Sequence, residues 1–433
     1  MMKRLFLTAL IFTTLGTPHT IPLTSVRAST HEELCERACT PPVNPLTFEG
    51  LPHKILTLIA THLTNEDMTH FRFVNRKCAT AGFDGSILNA RGTRIVIQER
   101  KELPFLAKWL SQGAFLGVPI ACYDKTIADD DLVHLTLATH VDLNFCNVTD
   151  RGLAFLKNAM ILNVAWCKQI TNNGLIHLRH IQSLDLNGCS HVTDAGLIHL
   201  QNVADVKLVG CPITDEGLPY LQNAHSLDLS FCKITDKGLA NLSRAQNLGL
   251  SYCKITGVGL AHLTNLATVD LSGCPLITDA CLMGLINAKT LNLDGCAITG
   301  TGLQHLSQIE CISLSGNSIQ DAAFAHITNA ASVVLTKCKN ISDHGLRFLT
   351  NAKTVELNRC PVTDEGLLHL KNARSLTLVK CKRITDAGLI QLKDVKILIL
   401  YRCPQITDEA TNILRICGVD IKRLDTQAPG DSR

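Results

Sequence analysis

Aromatic residues are scarce in this chain, at 4%, although 46% of its 433 residues are hydrophobic. We therefore expect a core of small aliphatic side chains, as in repeat proteins, in which each unit leaves only a thin slot to fill. The net charge is only +3, so the charge balance indicates neither a nucleic-acid partner nor a membrane surface. The sequence has no Gly-rich phosphate loop and no G-x-S-x-G nucleophile elbow, and it gives no motif-based reason to predict an enzyme.

Long apolar runs are also missing after the N-terminal leader. A basic pair, Lys3 and Arg4, precedes an apolar run over residues 5–16, and residues 26–28 (Val-Arg-Ala) offer a small-residue cleavage site. This is the pattern of a secretory signal peptide, and the run is too short to span a bilayer comfortably. We therefore expect residues 1–28 to direct export, and we expect no integral membrane insertion. An apolar leader without a targeting role is the alternative.

One motif recurs along most of the chain. Its units read, for example, LDLNGCSHVTDAGLIHLQNV and LDLSFCKITDKGLANLSRA. A marker cysteine returns every 21 or 22 residues, and Cys122 is expected to head a slightly longer first unit, which gives about fourteen units. The other marker positions are Cys146, Cys167, Cys189, Cys211, Cys232, Cys253, Cys274, Cys296, Asn317, Cys338, Cys360, Cys381 and Cys403.

Each part of the unit predicts a local structure. The L-x-L segment alternates with a period of two, which predicts a strand with its leucines buried. The Cys or Asn at the bend that leaves the strand is expected to be buried and to satisfy backbone groups of the adjacent coil. In the I-T-D triplet, Thr or Asp is expected to cap a short helix that carries the leucines of G-L-x-x-L. The closing Asn, such as Asn372, suits a left-handed helix exit.

The units predict a fold because no single unit can bury its own apolar face, so neighbouring units must stack. The sequence predicts an α/β solenoid, a horseshoe with parallel strands on the concave side and helices on the convex side. The marker cysteines are then buried free thiols, an arrangement that is safest in a reducing compartment. From about residue 118 to residue 417, the units resemble the cysteine-containing leucine-rich repeats of F-box proteins.

Residues 48–82 precede the repeats and predict two or three short amphipathic helices, with Pro at a helix entry and apolar residues at helical spacing. The segment also resembles an F-box, although Cys78 stands where that family usually has Trp. A helical cap that only shields the first repeat is the alternative. The residues that the resemblance would place against an adaptor are Leu51, Pro52, Ile55, Ile59, Leu63, Met68 and Val74.

The resemblance implies a function without covalent chemistry. F-box helices dock on a Skp-type adaptor of a cullin-RING (SCF-type) ubiquitin ligase, and the repeats hold a protein substrate. Because an F-box acts in eukaryotic cytosol whereas the leader predicts export, one hypothesis is a secreted bacterial effector that acts in a host cell. The alternative is an exported leucine-rich-repeat protein, extracellular or periplasmic, with no ligase role. The expected segments are a leader (1–28), a linker (29–47), an F-box-like segment (48–90), a connecting or capping segment (91–121), repeats (122–417) and a C-terminal tail (418–433).

The residue just before each marker lies at the predicted edge of the concave face. Aromatic residues occupy this position in the early units, glycines in the middle units and four basic residues at the end. Because adjacent strands lie about 4.8 Å apart, the four cations are expected to form a ladder that favours an acidic partner segment. A solvated edge whose residue identities drift freely is the alternative. The predicted substrate-binding residues are Phe145, Trp166, Phe231, Tyr252, Lys337, Arg359, Lys380 and Arg402.

Metal and catalytic sites are not predicted, and no cofactor is expected. Cys35 and Cys39 form a pair without the second pair that a structural zinc site needs. Cys417 is assigned to a C-terminal cap, because too few residues follow Cys403 for a catalytic domain. Recurring histidines are expected to be exposed polar residues on convex helices, too far apart to share an ion: His177, His199, His262, His305 and His369.

Overall fold

The computed structural model describes residues 88–89, 94–111 and 119–424. In this part of the chain, strand β1 (Leu88–Asn89) pairs antiparallel with β2 (Arg94–Ile97), and each later strand pairs in parallel with its predecessor, which gives an open sheet of 16 parallel strands. The later strands are β3 (Ile120–Cys122), β4 (His140–Asp142), β5 (Ile161–Asn163), β6 (Ser183–Asp185), β7 (Asp205–Lys207), β8 (Ser226–Asp228), β9 (Asn247–Gly249), β10 (Thr268–Asp270), β11 (Thr290–Asn292), β12 (Cys311–Ser313), β13 (Ser332–Thr336), β14 (Thr354–Asn358), β15 (Ser375–Val379), β16 (Ile397–Tyr401) and β17 (Asp420–Arg423).

Short helical turns carry the chain from one strand to the next. None of the helices in the described ranges has the length and hydrophobicity of a membrane-spanning segment. The α-helical segments are α1 (Leu103–Ser111), α2 (Asp150–Leu153), α3 (Asp236–Leu239), α4 (Asp343–Leu346), α5 (Asp364–Leu367), α6 (Asp386–Ile390) and α7 (Asp408–Ile416). The 3-10 helices are Arg100–Glu102, Asp129–Leu135, Ala154–Leu156, Gly174–Leu178, Asp194–Leu200, Asp215–Leu221, Ala240–Leu242, Val258–His262, Asp279–Leu285, Thr301–His305, Asp321–His326, Arg347–Leu349 and Leu368–Leu370.

Within the described residues, one continuous apolar core runs between the sheet and the helical turns. In the coil that begins with β6, the strand supplies Leu184, the residue directly after it is Leu186, and the helical turn supplies Leu197 and Leu200, all buried. The same positions are filled in coil after coil, so each unit completes its core only by stacking on its neighbours. The predicted leucine-rich-repeat solenoid is confirmed.

The marker residues are buried and bind backbone groups of the preceding coil, as predicted. The Sγ of Cys167 lies 3.3 Å from the carbonyl oxygen of Leu143. Burial raises the pKa of the Cys167 thiol to about 11, so the thiol keeps the proton that it donates. Asn317 serves the same purpose twice, because its Nδ2 donates to Leu293 O at 2.7 Å and its Oδ1 accepts from Ile298 N–H at 3.1 Å.

Cys122 is not a marker residue, and that prediction is wrong. The register of β3 with β4 pairs Ala121 with Asp142, so Cys122 aligns with Leu143, and Lys125 takes the marker position. Cys122 fills a leucine slot in the core, as a small hydrophobe can. Strands β2 and β17 also extend the parallel sheet beyond residues 122–417 at each end.

The closing Asn does not produce a left-handed helix exit, and that prediction is also wrong. Asn372 is not among the described residues with positive φ. Instead, several of these asparagines join neighbouring coils, as when Asn158 Nδ2 donates to Thr136 O at 2.8 Å and Asn223 Nδ2 donates to Gln201 O at 3.0 Å. The amide thus satisfies a carbonyl at the end of the preceding helical turn.

The T-D pair caps its own helical turn and also bonds to the next coil. Thr363 Oγ1 accepts from Glu365 N–H, which confirms Thr as the N-cap residue. The carboxylate of Asp343, one coil earlier, accepts the Thr363 N–H at 2.7 Å and its hydroxyl at 2.6 Å. A Cβ on Gly366 would collide with that carboxylate, so the glycine of T-D-x-G-L leaves room for it. The residues of this Asp–Thr ladder that accept from the next coil are Asp129, Asp150, Asn172, Asp194, Asp215, Asp236, Asp279, Asp321, Asp343, Asp364 and Asp386.

Two coils carry glycine at the Asp position of the ladder, and the following coil then lacks the usual glycine. Gly257 is followed one coil later by Cys281, and Gly300 by Ala323. A Cβ on Gly257 would lie 2.5 Å from the Cβ of Cys281, and one on Gly300 would collide with Ala323. At each contact between the Asp position of one coil and the Gly position of the next, only one of the two residues therefore carries a side chain. The last coil is the exception, because Ala410 follows Asp386 there.

Candidate partner-binding face

The strands of the sheet differ in length: β3–β12 have 3 residues each, whereas β13–β16 have 5. In six of the nine strands from β4 to β12, an outward-facing Asp or Asn ends the strand. Asp270 Oδ1, for example, accepts from Ser272 N–H at 2.9 Å. Where Val334, Glu356 or Thr377 takes that place, this residue's own side chain does not accept the N–H two residues later, and β13–β16 continue for 5 residues. Strand length and the residue types on this surface therefore both change at β13.

The residue that precedes each marker adopts the left-handed conformation. Its N–H continues the sheet hydrogen bonds, as from Phe145 N to Ala165 O at 2.9 Å, while the chain turns inward to the marker. For a residue other than glycine, this conformation costs about 1 kcal/mol. We call these residues the left-handed row. Its side-chain members, with φ between 50° and 62°, are the eight predicted substrate-binding residues Phe145, Trp166, Phe231, Tyr252, Lys337, Arg359, Lys380 and Arg402, and its glycines are Gly188, Gly210, Gly273, Gly295 and Gly316.

The aromatic members of the row form two stacked pairs. The ring centroids of Phe145 and Trp166 are 5.9 Å apart with planes at 7°, and those of Phe231 and Tyr252 are 4.5 Å apart at 16°. The pairs remain exposed to solvent, Trp166 at 49% and Tyr252 at 60%. Such stacks contribute roughly 0.5–1.5 kcal/mol each beyond their buried area, so the rings hold one another in place.

A glycine follows each aromatic pair because the second ring leans over the next coil. A Cβ on Gly188 would lie 2.7 Å from the Trp166 ring, and a Cβ on Gly273 would lie 2.6 Å from the Tyr252 ring. The other glycines of the row meet no side chain in this way: a Cβ on Gly210 would have no atom within 4 Å.

The basic end of the row faces solvent. Lys337, Arg359 and Arg402 are exposed, and Lys380 is half-buried. Within the described residues, no ion pair joins Lys337 or Arg359 to a carboxylate. The guanidinium of Arg402 lies 5.1 Å from the centroid of the Tyr401 ring. The structure therefore brings the four cations onto consecutive coils, next to the longest strands.

Carboxylates line the concave side of the early strands, a feature that sequence reasoning missed. Asp142, Asp185, Asp228 and Asp270 occupy the outward position at the end of alternate strands, and Asp185 lies 3.7 Å from Lys207. The sequence did show these carboxylates, because Asp is the middle residue of several L-x-L segments. The sequence analysis interpreted that residue only as exposed. The concave face is thus acidic beside the aromatic pairs and basic at its C-terminal end.

Other predicted positions contribute no site in the described residues. His177 and His262 are exposed, His199, His305 and His369 are half-buried, and no cluster of His, Cys, Asp or Glu in this part of the chain could hold a metal ion. Cys417 is exposed at the C-terminal end of α7. The predicted adaptor-binding residues lie outside the described residues, as do Cys35, Cys39 and Cys78: Leu51, Pro52, Ile55, Ile59, Leu63, Met68 and Val74.

Comparison with known proteins bears on the repeats. A family profile described as a leucine-rich repeat matches residues 139–157, 177–201, 225–243 and 289–307. No curated protein matches the chain. An internalin (inlF) from Listeria monocytogenes str. 4b F2365 is similar in structure, with a TM-score of 0.50 and 20% identity over 75% of this chain and 94% of that chain. The yeast complex of Rad7 and Elc1 matches with a TM-score of 0.49 and 16% identity, over 91% of this chain and 98% of that chain. The chain contains leucine-rich repeats and has the fold of a leucine-rich-repeat solenoid.

Proposed function

We propose that this protein is a non-catalytic recognition module that binds a protein partner on its concave face. The observation that carries the proposal is the left-handed row, in which eight side chains occupy a conformation that glycine adopts at lower cost. Five coils do use glycine there, so the turn itself does not require a side chain. Exposed aromatic residues and arginine are the residue types that dominate the energy of protein interfaces.

We further propose that the module is the substrate receptor of an SCF-type ubiquitin ligase. The support is the sequence of residues 48–82, which resembles an F-box and lies directly before cysteine-containing repeats. In this proposal, the segment binds a Skp-type adaptor, which connects to a cullin, and the concave face holds the substrate. The leader adds a hypothesis about location: a secreted bacterial effector that acts in the cytosol of a host cell.

A co-precipitation experiment tests the ligase proposal. The full chain is expressed in eukaryotic cells and isolated, and a Skp-type adaptor and cullin are sought by immunoblotting. A Leu51→Ala/Pro52→Ala variant serves as the control, because it alters the F-box-like start and leaves every described residue unchanged. Recovery with the parent chain and loss with the variant are expected. Failure to recover adaptor where a known F-box protein succeeds would refute the ligase proposal.

The leader favours a second candidate function, an exported leucine-rich-repeat binding protein with no ligase role. In that case residues 48–82 cap the solenoid, and the concave face binds its partner outside the cytosol. Fractionation of the producing cells separates the two proposals. Chain found only outside the cytosol, without adaptor, supports the exported binding protein, whereas accumulation in host cytosol together with adaptor supports the effector.

A further inference from the structure

The left-handed row has gaps as well as side chains, and the gaps are of two kinds. Gly188 and Gly273 are needed because the neighbouring aromatic ring occupies the space of their side chain. Gly210, Gly295 and Gly316 have no such neighbour: a Cβ would meet nothing within 4 Å at Gly210, and only glycine backbone at the other two. Other positions of the row carry side chains in the same left-handed conformation, so the backbone does not require glycine at these three positions. The three glycines leave a surface without side chains.

The bare positions divide the row into a notch and a trough. The notch is defined by Gly210, and it lies between the Trp166 ring, which covers Gly188, and the exposed Phe231 ring. The trough is defined by Gly295 and Gly316, and it lies between Tyr252 and the first cation of the row. Aromatic walls beside an open floor suit an apolar side chain of a partner, and a bare trough lets an extended backbone approach closely.

We propose that the left-handed row binds one extended peptide segment of a partner at two points, with an apolar side chain in the notch and a run of carboxylates on the four cations. This inference rests on the proposed concave-face recognition and defines the chemistry of its partner. The cations follow on consecutive coils, and within the described residues Lys337 and Arg359 have no carboxylate partner. Glu356 is the one carboxylate that the outward strand positions of β13–β16 contribute in this region.

The geometry fixes the spacing of the two points. Six coil steps separate Gly210 from Lys337, which corresponds to about 29 Å at about 4.8 Å per strand. An extended chain advances about 3.3 Å per residue, so the first acidic residue must follow the apolar residue by about nine positions, with about eight residues between them. The four cations span three further coil steps, about 14 Å, which about five extended acidic residues would cover.

A single-stranded nucleic acid would also find aromatic rings and cations on this face. The carboxylates beside the aromatic pairs favour the peptide, because Asp185, Asp228 and Asp270 would repel a phosphate backbone that ran the length of the row. Around a peptide, the same carboxylates meet backbone N–H groups and cause no such repulsion.

Fluorescence anisotropy with synthetic peptides tests the proposal on the full chain. One labelled peptide carries a Phe, about eight Ser and Gly residues and about five Glu, which is the spacing worked out above. A second peptide carries only about three residues between the Phe and the Glu run. The short spacer cannot reach both points, so we expect the long-spacer peptide to bind at least tenfold more tightly. An unlabelled thymidine oligonucleotide of matched length serves as the nucleic-acid competitor. Equal affinity of the two peptides, or tighter binding of the oligonucleotide, would overturn the proposal.

Matched variants locate the two contacts. Arg359→Glu/Lys380→Glu is expected to weaken binding of the long-spacer peptide at least tenfold. Lys371→Glu/Lys393→Glu makes the same change in net charge at exposed turns after helices and should leave the affinity unchanged. Gly210→Phe should fill the notch and weaken binding, and Gly210→Ala carries the same left-handed strain without filling it. Equal losses within either pair would contradict the proposed contacts. Because these variants leave residues 48–82 intact, adaptor recovery tests the ligase proposal independently.

Discussion

The Asp–Thr ladder makes a prediction about how the coils are held together. Replacing Asp343 by Ala removes an acceptor that binds the Thr363 N–H at 2.7 Å and its hydroxyl at 2.6 Å. Charge-assisted hydrogen bonds contribute roughly 1.5–3 kcal/mol each when buried, and this pair is partly exposed. We therefore expect Asp343→Ala to lower the free energy of unfolding by about 2–3 kcal/mol.

Asn provides the matched control for this change, because the chain already contains an Asn version of the ladder. Asn172 Oδ1 accepts from Thr193 N–H at 2.8 Å, and its Nδ2 donates to the Thr193 hydroxyl at 2.8 Å. Asp343→Asn keeps both hydrogen bonds in this way and loses only their ionic part. We expect Asp343→Asn to lower the free energy of unfolding by about 1 kcal/mol, the approximate difference between a charge-assisted and a neutral hydrogen bond.

Guanidinium unfolding monitored by circular dichroism measures both variants, and hydrogen exchange localises the effect. Because a solenoid is stabilised coil by coil, the Ala variant should increase exchange of the Thr363 amide and its neighbours before that of distant coils. The reasoning is refuted if the Ala and Asn variants lose the same stability, or if exchange near Thr363 does not change.

Three further predictions concern other parts of the described chain. Burial is the largest single effect on the carboxyl groups of Asp236 and Asp279 and raises their pKa, but the hydrogen bonds from the next coil together outweigh it and hold the pKa below the ordinary 3.8. The stability that these carboxylates contribute is therefore present at neutral pH and is lost as the pH falls below about 3.8. Asp236→Asn should accordingly reduce the slope of the unfolding free energy against pH in the acid range. Arg359→Gly should weaken partner binding while leaving the free energy of unfolding within about 0.5 kcal/mol of the parent, since relief of left-handed strain offsets the flexibility of glycine in the unfolded chain; a large loss of stability would show that the side chain has a structural role. A thiol reagent followed by peptide mass spectrometry should label exposed Cys417 in the native chain but buried Cys167 only after unfolding.

The repeat pattern predicted the core of this fold in detail. The L-x-L leucines, the buried markers and the Thr N-caps all lie where the period of 21 or 22 residues put them, because each position has one local function in every coil. Cys122 was placed wrongly because the first coil has lost its marker, and only the strand register shows that Lys125 stands there. Searching for cysteine cannot locate the marker position in a coil where lysine occupies that position.

The parts of the candidate site that sequence did not reveal depend on contacts between coils. The side chains of the row were predicted by position, but their left-handed conformation was missed, although Gly188, Gly210 and Gly273 at equivalent positions were a signal for it. The stacking of Phe231 on Tyr252 and the ring over Gly273 require knowledge of the direction in which the rings lean. Period alone gives the order of residues along the row but not these contacts.

The reciprocal fit of Asp and Gly in successive coils limits how such a chain can be lengthened or shortened by recombination. Duplicating or excising the coil that contains Asp194 joins an Asn or Asp to a glycine, and the new junction is as complementary as the old ones. Excising the coil that contains Gly257 would instead set Asp236 against Cys281, where a carboxylate and a thiol-bearing side chain compete for one space. Coils that carry Asp or Asn at the ladder position can therefore be exchanged for one another. The coils that contain Gly257 and Gly300 must each keep the coil that follows, because Cys281 and Ala323 need a glycine opposite them.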